Sequence, residues 1–440
     1  MIDIKQIDKQ HIWHPCSQMK DYELFQPLQI KRAFGSYIEL SDGKKILDAI
    51  SSWWCKSLGH GHPQLKKAVM LQMDQFEHVM LANTTYESIA LLSQILGNLI
   101  PGLCKVFYAG DGSCAVEIAM KMSLHYHLLE GKPKKKKFIA LSNSYHGETI
   151  GALSVSDIGV YRNPYRSLLF EPTFIEPLYV RGMDDPSWHD SKAHWEKIKP
   201  LLENHMAETT AIIVEPIVQG AAGMKVYSQD FLSRLAKFAK DNDVHLIADE
   251  IMTGIGRTGK MLACEHAKIE PDFICLSKGL TSGWMAFSAV LTTNQIYQAF
   301  YDDYDKGKSF LHSHTYSGNA LGASLALETL KVIQAERLCE RAHEIHAIMR
   351  DGMQTIAKGT GLLTNIRGIG AIIAADLVGN DLPIRAGYQL FQEAVKLGAL
   401  LRPIGNTIYW MPPLNIAYDD LVKLKEITAQ AIMQVYTINL

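Results

Sequence analysis

The sequence predicts an α/β protein with a largely parallel sheet, followed by a second, α+β domain. Three observations lead there. Between about residues 105 and 300, short apolar stretches alternate with helical ones, the pattern of strand–helix–strand units. After about residue 320 the pattern changes to long helices with short extended pieces. The chain also has 440 residues, of which 47% are hydrophobic, enough for a large core and for two or three domains.

Taken in order, residues 1–55 are mixed. The extended pieces Gln29–Arg32 and Ser36–Leu40, with the turn Ser41-Asp42-Gly43, suggest one small hairpin. From Pro63, Leu65, Ala68, Val69 and Met73 recur at helical spacing. Strands are then expected at Lys105–Tyr108, Lys137–Leu141, Ala211–Val214, Val244–Ala248, Phe273–Leu276 and Phe287–Thr292. Helices are expected at Ala115–Leu129 and Asp230–Asp241 between them, and at Ala320–Ala335, Leu338–Ile356 and Asp419–Tyr436 after them. Sheets of this kind bind ligands at the carboxyl ends of their strands. The lysine run Lys134–Lys137 reads as a solvated loop entering a strand.

Bulk chemistry narrows the function. A net charge of −2 gives no global field for nucleic acid or anionic membrane. Seven scattered cysteines, an odd number without CxxC spacing, argue against a disulfide framework and a structural zinc site. The N-terminal stretch lacks the order of a secretory signal, and no apolar run approaches the ~20 residues of a membrane span. A soluble, cytoplasmic protein is expected, with no metal, no nucleic acid and no membrane among its partners.

Two glycine and histidine patterns mislead. Gly254-Ile255-Gly256-Arg257-Thr258-Gly259 matches a dinucleotide fingerprint, but five residues separate it from the preceding strand and no clear helix opens on it. As a P-loop it fails at Met261, where Ser or Thr must hold magnesium. His60-Gly61-His62 and His312-Ser313-His314 have no clear carboxylate or cysteine partner at metal spacing and read as loop histidines.

Four features at strand ends carry chemistry. Ala109-Gly110-Asp111-Gly112-Ser113 joins a strand to a helix; its glycines, free N–H groups and the Ser113 hydroxyl suit a phosphate, though a plain turn capped by Ser113 fits equally. Asp249 ends an apolar strand, where a carboxylate needs a partner. A protonated pyridine nitrogen would serve, and so would backbone amides. Lys278 ends another apolar strand, a place where lysine is rare unless paired or functional. An aldimine would give its amine a use. Tyr145 or His146, in Ser144-Tyr145-His146-Gly147, could stack on a planar ring or serve loop packing. Together the four supply a phosphate grip, a stacking ring, a nitrogen partner and a Schiff-base lysine, a set that fits pyridoxal 5'-phosphate.

At these residues the chain resembles the class III aminotransferases over nearly its whole length. The strongest stretch runs from Asp249-Glu250-Ile251 through Gly256-Arg257-Thr258-Gly259 to Ser277-Lys278-Gly279. Within that class His11–Pro15, Ser51-Ser52-Trp53-Trp54, Asn143–Thr149, Glu215–Gly220 and Tyr409–Pro413 resemble the branch that makes 7,8-diaminononanoate for biotin. The resemblance implies fold-type-I architecture: a large domain at 56–319, and a small domain built from 1–55 and 320–440. It implies a homodimer that uses 8-amino-7-oxononanoate and, as amino donor, S-adenosylmethionine, or in some relatives lysine. It implies that Lys278 forms the internal aldimine, Asp249 pairs with the pyridine nitrogen, and Gly112 and Ser113 bind phosphate, with Thr315 reaching in from the neighbouring subunit. Tyr145 would lie against the ring, Trp53 and Trp54 would wall the substrate, and Arg402, with Tyr409 nearby, would bind its carboxylate. The chain departs from the family at Cys16, where some members carry tyrosine, and at Ser313-His314 before Thr315, where the family has Gly-Pro.

Overall fold

The structure, a computed structural model, describes residues 3–379 and 382–437. Near the N-terminus β1 (Ile30–Phe34), β2 (Tyr37–Leu40) and β3 (Lys45–Asp48) form an antiparallel meander. Two turns are present where one was expected. Ser41-Asp42-Gly43 joins β2 to β3, and Gly35, at φ +52°, makes an earlier reversal between β1 and β2. Glycine accepts that left-handed backbone without a Cβ clash.

The central segment contributes β4 (Leu103–Ala109), β5 (Lys137–Leu141), β6 (Thr173–Ile175), β7 (Tyr179–Val180), β8 (Thr209–Val214), β9 (Val218–Gln219), β10 (Lys225–Tyr227), β11 (His245–Asp249), β12 (Phe273–Leu276) and β13 (Ser288–Thr293). Seven of these form one sheet in the order β4-β13-β12-β11-β8-β5-β6. Its strands are parallel except β13, which runs against both neighbours. The short β7, β9 and β10 form a separate three-stranded patch.

Side chains alternate across a strand. In the middle of the sheet both faces are covered. Ile212, Val214, Leu246, Ala248, Ile274 and Leu276 enter one apolar cluster. Ala211, Ile213, Ile247, Phe273 and Cys275 enter another, with the helix Gly112–Leu129. Burying a Val, Leu, Ile or Phe side chain stabilises by about 1.5–3 kcal/mol. This is why those segments lack polar alternation.

The C-terminal part adds β14 (Leu363–Ile369), β15 (Ile372–Leu377), β16 (Ala399–Leu400) and β17 (Thr407–Trp410). β14, β15 and β17 form an antiparallel sheet, and the long helix Leu338–Thr360 packs against it and against Tyr418–Thr437. β16 instead pairs in parallel with β3, through Ala399 opposite Leu47 and Leu400 opposite Asp48. The two ends of the chain therefore share one four-stranded sheet, β1-β2-β3-β16. Its loops after β3 and β16 lie over the carboxyl ends of β4, β5, β8, β11 and β12 and enclose a cleft of about 610 Å³.

Candidate active site

Asp249 is the last residue of β11 and is buried. Its Oδ2 accepts a hydrogen bond from His146 Nδ1 at 2.8 Å, and its Oδ1 accepts from the Ile251 N–H at 3.1 Å. These donors fix the carboxylate's orientation, as buried carboxylates require. The His146 side chain is buried and orients Asp249; Tyr145 and His146 both line the cleft. The His146 Nε2 is buried without a partner among the described residues.

Lys278 follows β12, at φ +44°, and opens a short 3-10 turn. Its Nζ stands 4.9 Å from the centre of the Trp54 ring. Burial lowers the amine's pKa, and the carboxylates of Asp249 and Glu215 oppose that shift. An amine whose basicity is lowered by burial, beside an aromatic face, suits condensation with an aldehyde.

Glu215 opens the run Glu215–Gly220 and lies in the cleft itself. It follows the wholly buried β8. Its Oε2 accepts from the Tyr145 N–H and its Oε1 from the Gly220 N–H, both at 3.0 Å. Burial pushes its carboxyl up to about 7, with the Asp249 charge adding to the shift. Glu215 carries the same sequence signal as Asp249, an acid ending an apolar strand. Tyr145, placed by that bond, lines the cleft and donates its hydroxyl to Glu148 Oε1 at 2.8 Å.

Gly112 and Ser113 form the first turn of the helix Gly112–Leu129. The sequence places the helix start at Ala115 and leaves Ser113 open between phosphate ligand and cap. Instead Asp111 is the N-cap, its carboxylate accepting from the Cys114 N–H at 3.0 Å. A carboxyl cap suits the positive end of a helix. Ser113 is thereby released to face the cleft. A Cβ on Gly112 would lie 2.9 Å from the Ile251 side chain, and one on Gly147 (φ +126°) only 2.1 Å from Ser113 Oγ. Both glycines are where backbone must come close.

Trp53 and Trp54 sit on a contorted backbone, with Ser51, Ser52 and Trp54 all at positive φ. Asp48 holds this turn by accepting from the Ser52 N–H (2.8 Å), Ser52 Oγ (2.9 Å) and His60 Nε2 (2.8 Å). His60 is thus part of the support of this wall. Trp53 is 43% exposed and Trp54 8%. Arg402 lies over the Trp53 ring at 4.1 Å. Trp53, Trp54, Arg402 and Cys16 all line the cleft.

Two further expected residues stand outside this chain's own cleft. Tyr409 is buried and does not line the cleft; its hydroxyl accepts from Trp54 Nε1 at 2.9 Å, so it braces the wall from behind. Thr315 is exposed and outside the cleft of its own chain. The glycine run at 254–259 forms turns, with Arg257 buried and donating to the Pro412 carbonyl at 2.6 Å.

The donor set matches pyridoxal phosphate: free helix-end N–H groups beside two glycines, an oriented buried carboxylate, and an amine without a hydrogen-bond or ion-pair partner among the described residues. The comparisons agree. A family model described as class-III aminotransferase matches residues 18–432. A relative from Helicobacter pylori, an adenosylmethionine-8-amino-7-oxononanoate aminotransferase, is 38% identical over 95% of this chain and 94% of its own. The crystal structure of the enzyme of the same name from Methanocaldococcus jannaschii superposes with a TM-score of 0.91 at 34% identity, covering 98% of each chain. An omega transaminase from Pseudomonas jessenii, solved in complex with PMP, gives 0.90 at 26% identity, covering 100% of this chain and 99% of that one.

Proposed function

The chain belongs to the class-III aminotransferases, and from that premise we propose that it converts 8-amino-7-oxononanoate to 7,8-diaminononanoate, with S-adenosylmethionine as amino donor. The enzyme is pyridoxal-phosphate dependent, as its class is. The observation that carries the substrate reading is the cleft's layout. Lys278 stands at Trp54, Arg402 stands at Trp53, and both tryptophans line the cleft. A long aliphatic ketone with a terminal carboxylate fits that order. Its chain leaves water against the indoles, and its carboxylate meets a guanidinium.

When bound, pyridoxal phosphate supplies an aldehyde for amine exchange and a ring that withdraws electrons from the carbon bearing the amine. The chain's own groups do the rest. Gly112 and Ser113 would hold the phosphate, and Tyr145 would lie along the ring. Asp249, aimed by His146 and the Ile251 N–H, would keep a proton on the ring nitrogen. Lys278 Nζ, its proton affinity lowered by burial, is the base positioned to take a proton from the substrate carbon and to return it. Donor and acceptor meet the same Lys278 base in turn, so steady-state patterns run parallel. Thr315 would complete the phosphate grip in a homodimer partner. The reading includes a cytoplasmic location; its support is seven free cysteines and, among the described residues, no helix long and apolar enough to cross a membrane.

The test is direct. Holoenzyme is yellow, and S-adenosylmethionine or lysine added alone identifies the donor as the one that bleaches it. Lys278→Ala loses the colour, and borohydride treatment of wild-type protein fixes the cofactor to the peptide holding Lys278. Label on any other peptide sinks the assignment, and turnover of ornithine or 4-aminobutyrate without oxononanoate sinks the substrate.

A further inference from the structure

The Trp53 end of the cleft holds two strong donors, one of them on a weak partner. Tyr161, on the helical turn Gly159–Arg162, lies 3.3 Å from Cys16 Sγ through its hydroxyl. A thiol is a poor acceptor. Burial and the Cys16 thiol keep the phenol protonated, so it remains a donor. Its ring leans on Tyr145, centroids 5.6 Å apart. Arg402 acts electrostatically on the same phenol. Among the described residues, the guanidinium's hydrogen-bond acceptor is the Cys16 carbonyl, at 3.2 Å. Cys16, Trp53, Tyr161 and Arg402 all line the cleft.

A carboxylate offers about four lone-pair sites. One docked on Arg402 keeps sites for a second donor, and the Tyr161 hydroxyl, within the electrostatic reach of Arg402, has a replaceable partner in Cys16 Sγ. We propose that Tyr161 is a specificity residue whose hydroxyl leaves Cys16 Sγ and shares the substrate's distal carboxylate with Arg402. The inference rests on the oxononanoate reading and extends it, since Tyr161 then separates acids from uncharged chains of equal length.

Tyr161→Phe removes the hydroxyl and keeps the ring. In the holoenzyme it raises KM for 8-amino-7-oxononanoate roughly tenfold or more, as loss of a hydrogen bond to a charged group does. Bleaching by the donor alone keeps its rate. The methyl ester of the oxononanoate is used equally by wild type and variant. Cys16→Ala, which removes the competing acceptor, lowers KM for the acid. An unchanged KM in Tyr161→Phe overturns the inference, and so does an equal penalty on the ester. A raised KM in Cys16→Ala does the same, since Tyr161 would then act only by holding the N-terminal segment. Wild-type protein that bleaches with donor yet never uses oxononanoate overturns the function reading and this inference together. Wild-type turnover with an indifferent Tyr161→Phe overturns the inference alone.

Discussion

Burial decides the character of three acidic or basic side chains in the cleft. Asp249 receives two donors, while Lys278 faces an indole and two carboxylates. Glu215 is the one whose pH response can be read. Its carboxyl in the folded protein stands at about 7, above the ordinary 4.5. The folded state therefore binds an extra proton between those values. The stability this gives is full below the unfolded pKa and is lost as pH rises through about 7. A shift of this size is worth about 3 kcal/mol. Cofactor-free wild-type protein should lose roughly that much stability between pH 5 and pH 8 relative to Glu215→Gln, measured by urea unfolding. Equal slopes would mean that Glu215 is ionised throughout, held so by His146 and the Tyr145 and Gly220 amides.

Elements matter through their ends. The helix Gly112–Leu129 offers its N-terminus because Asp111 takes over capping, and Gly147 lets the neighbouring loop approach Ser113. Gly147→Ala puts a methyl into the Ser113 hydroxyl on a backbone at φ +126°. It should weaken pyridoxal phosphate at least tenfold in a fluorescence titration, with far-UV circular dichroism unchanged; full affinity would remove this loop from the phosphate grip. The Trp54 wall depends on β17. Tyr409→Phe leaves the Trp54 N–H buried without its acceptor, at a cost of about 1–3 kcal/mol. Chemical denaturation reads that loss, and a difference below about 0.5 kcal/mol would show that the brace is dispensable.

At the scale of the molecule, the cleft is a seam between the central sheet and a layer built from both termini. A ligand that binds only the folded seam stabilises the whole chain by RT ln(1 + [L]/Kd), about 2.7 kcal/mol at a hundredfold excess over Kd. Adding pyridoxal phosphate to cofactor-free protein should therefore raise the midpoint of a single unfolding transition. Two transitions, only one of them shifted, would show that the terminal layer unfolds independently of the sheet.

Local physics made much of this legible beforehand. Strands β5 and β12 and the helix Ala320–Ala335 fall where apolar runs and helical spacing put them, because a segment buried on both faces advertises itself in its own residues. Lys278 and Asp249 stood out for the same reason: a charge ending an apolar strand needs an explanation from somewhere else in the molecule. The partners themselves were not legible. His146 meets Asp249 across 103 positions, Tyr161 meets Cys16 across 145, and Tyr409 stands behind Trp54 across 355. The parallel pairing of β16 with β3 and the exchange of Ser113 for Asp111 as helix cap belong with these. Periodicity reports what a residue prefers to be buried in, and the sequence by itself determined that much. Which side chain faces which depends on strand order and on chain reversals far apart in sequence, and only the folded tertiary structure decided it.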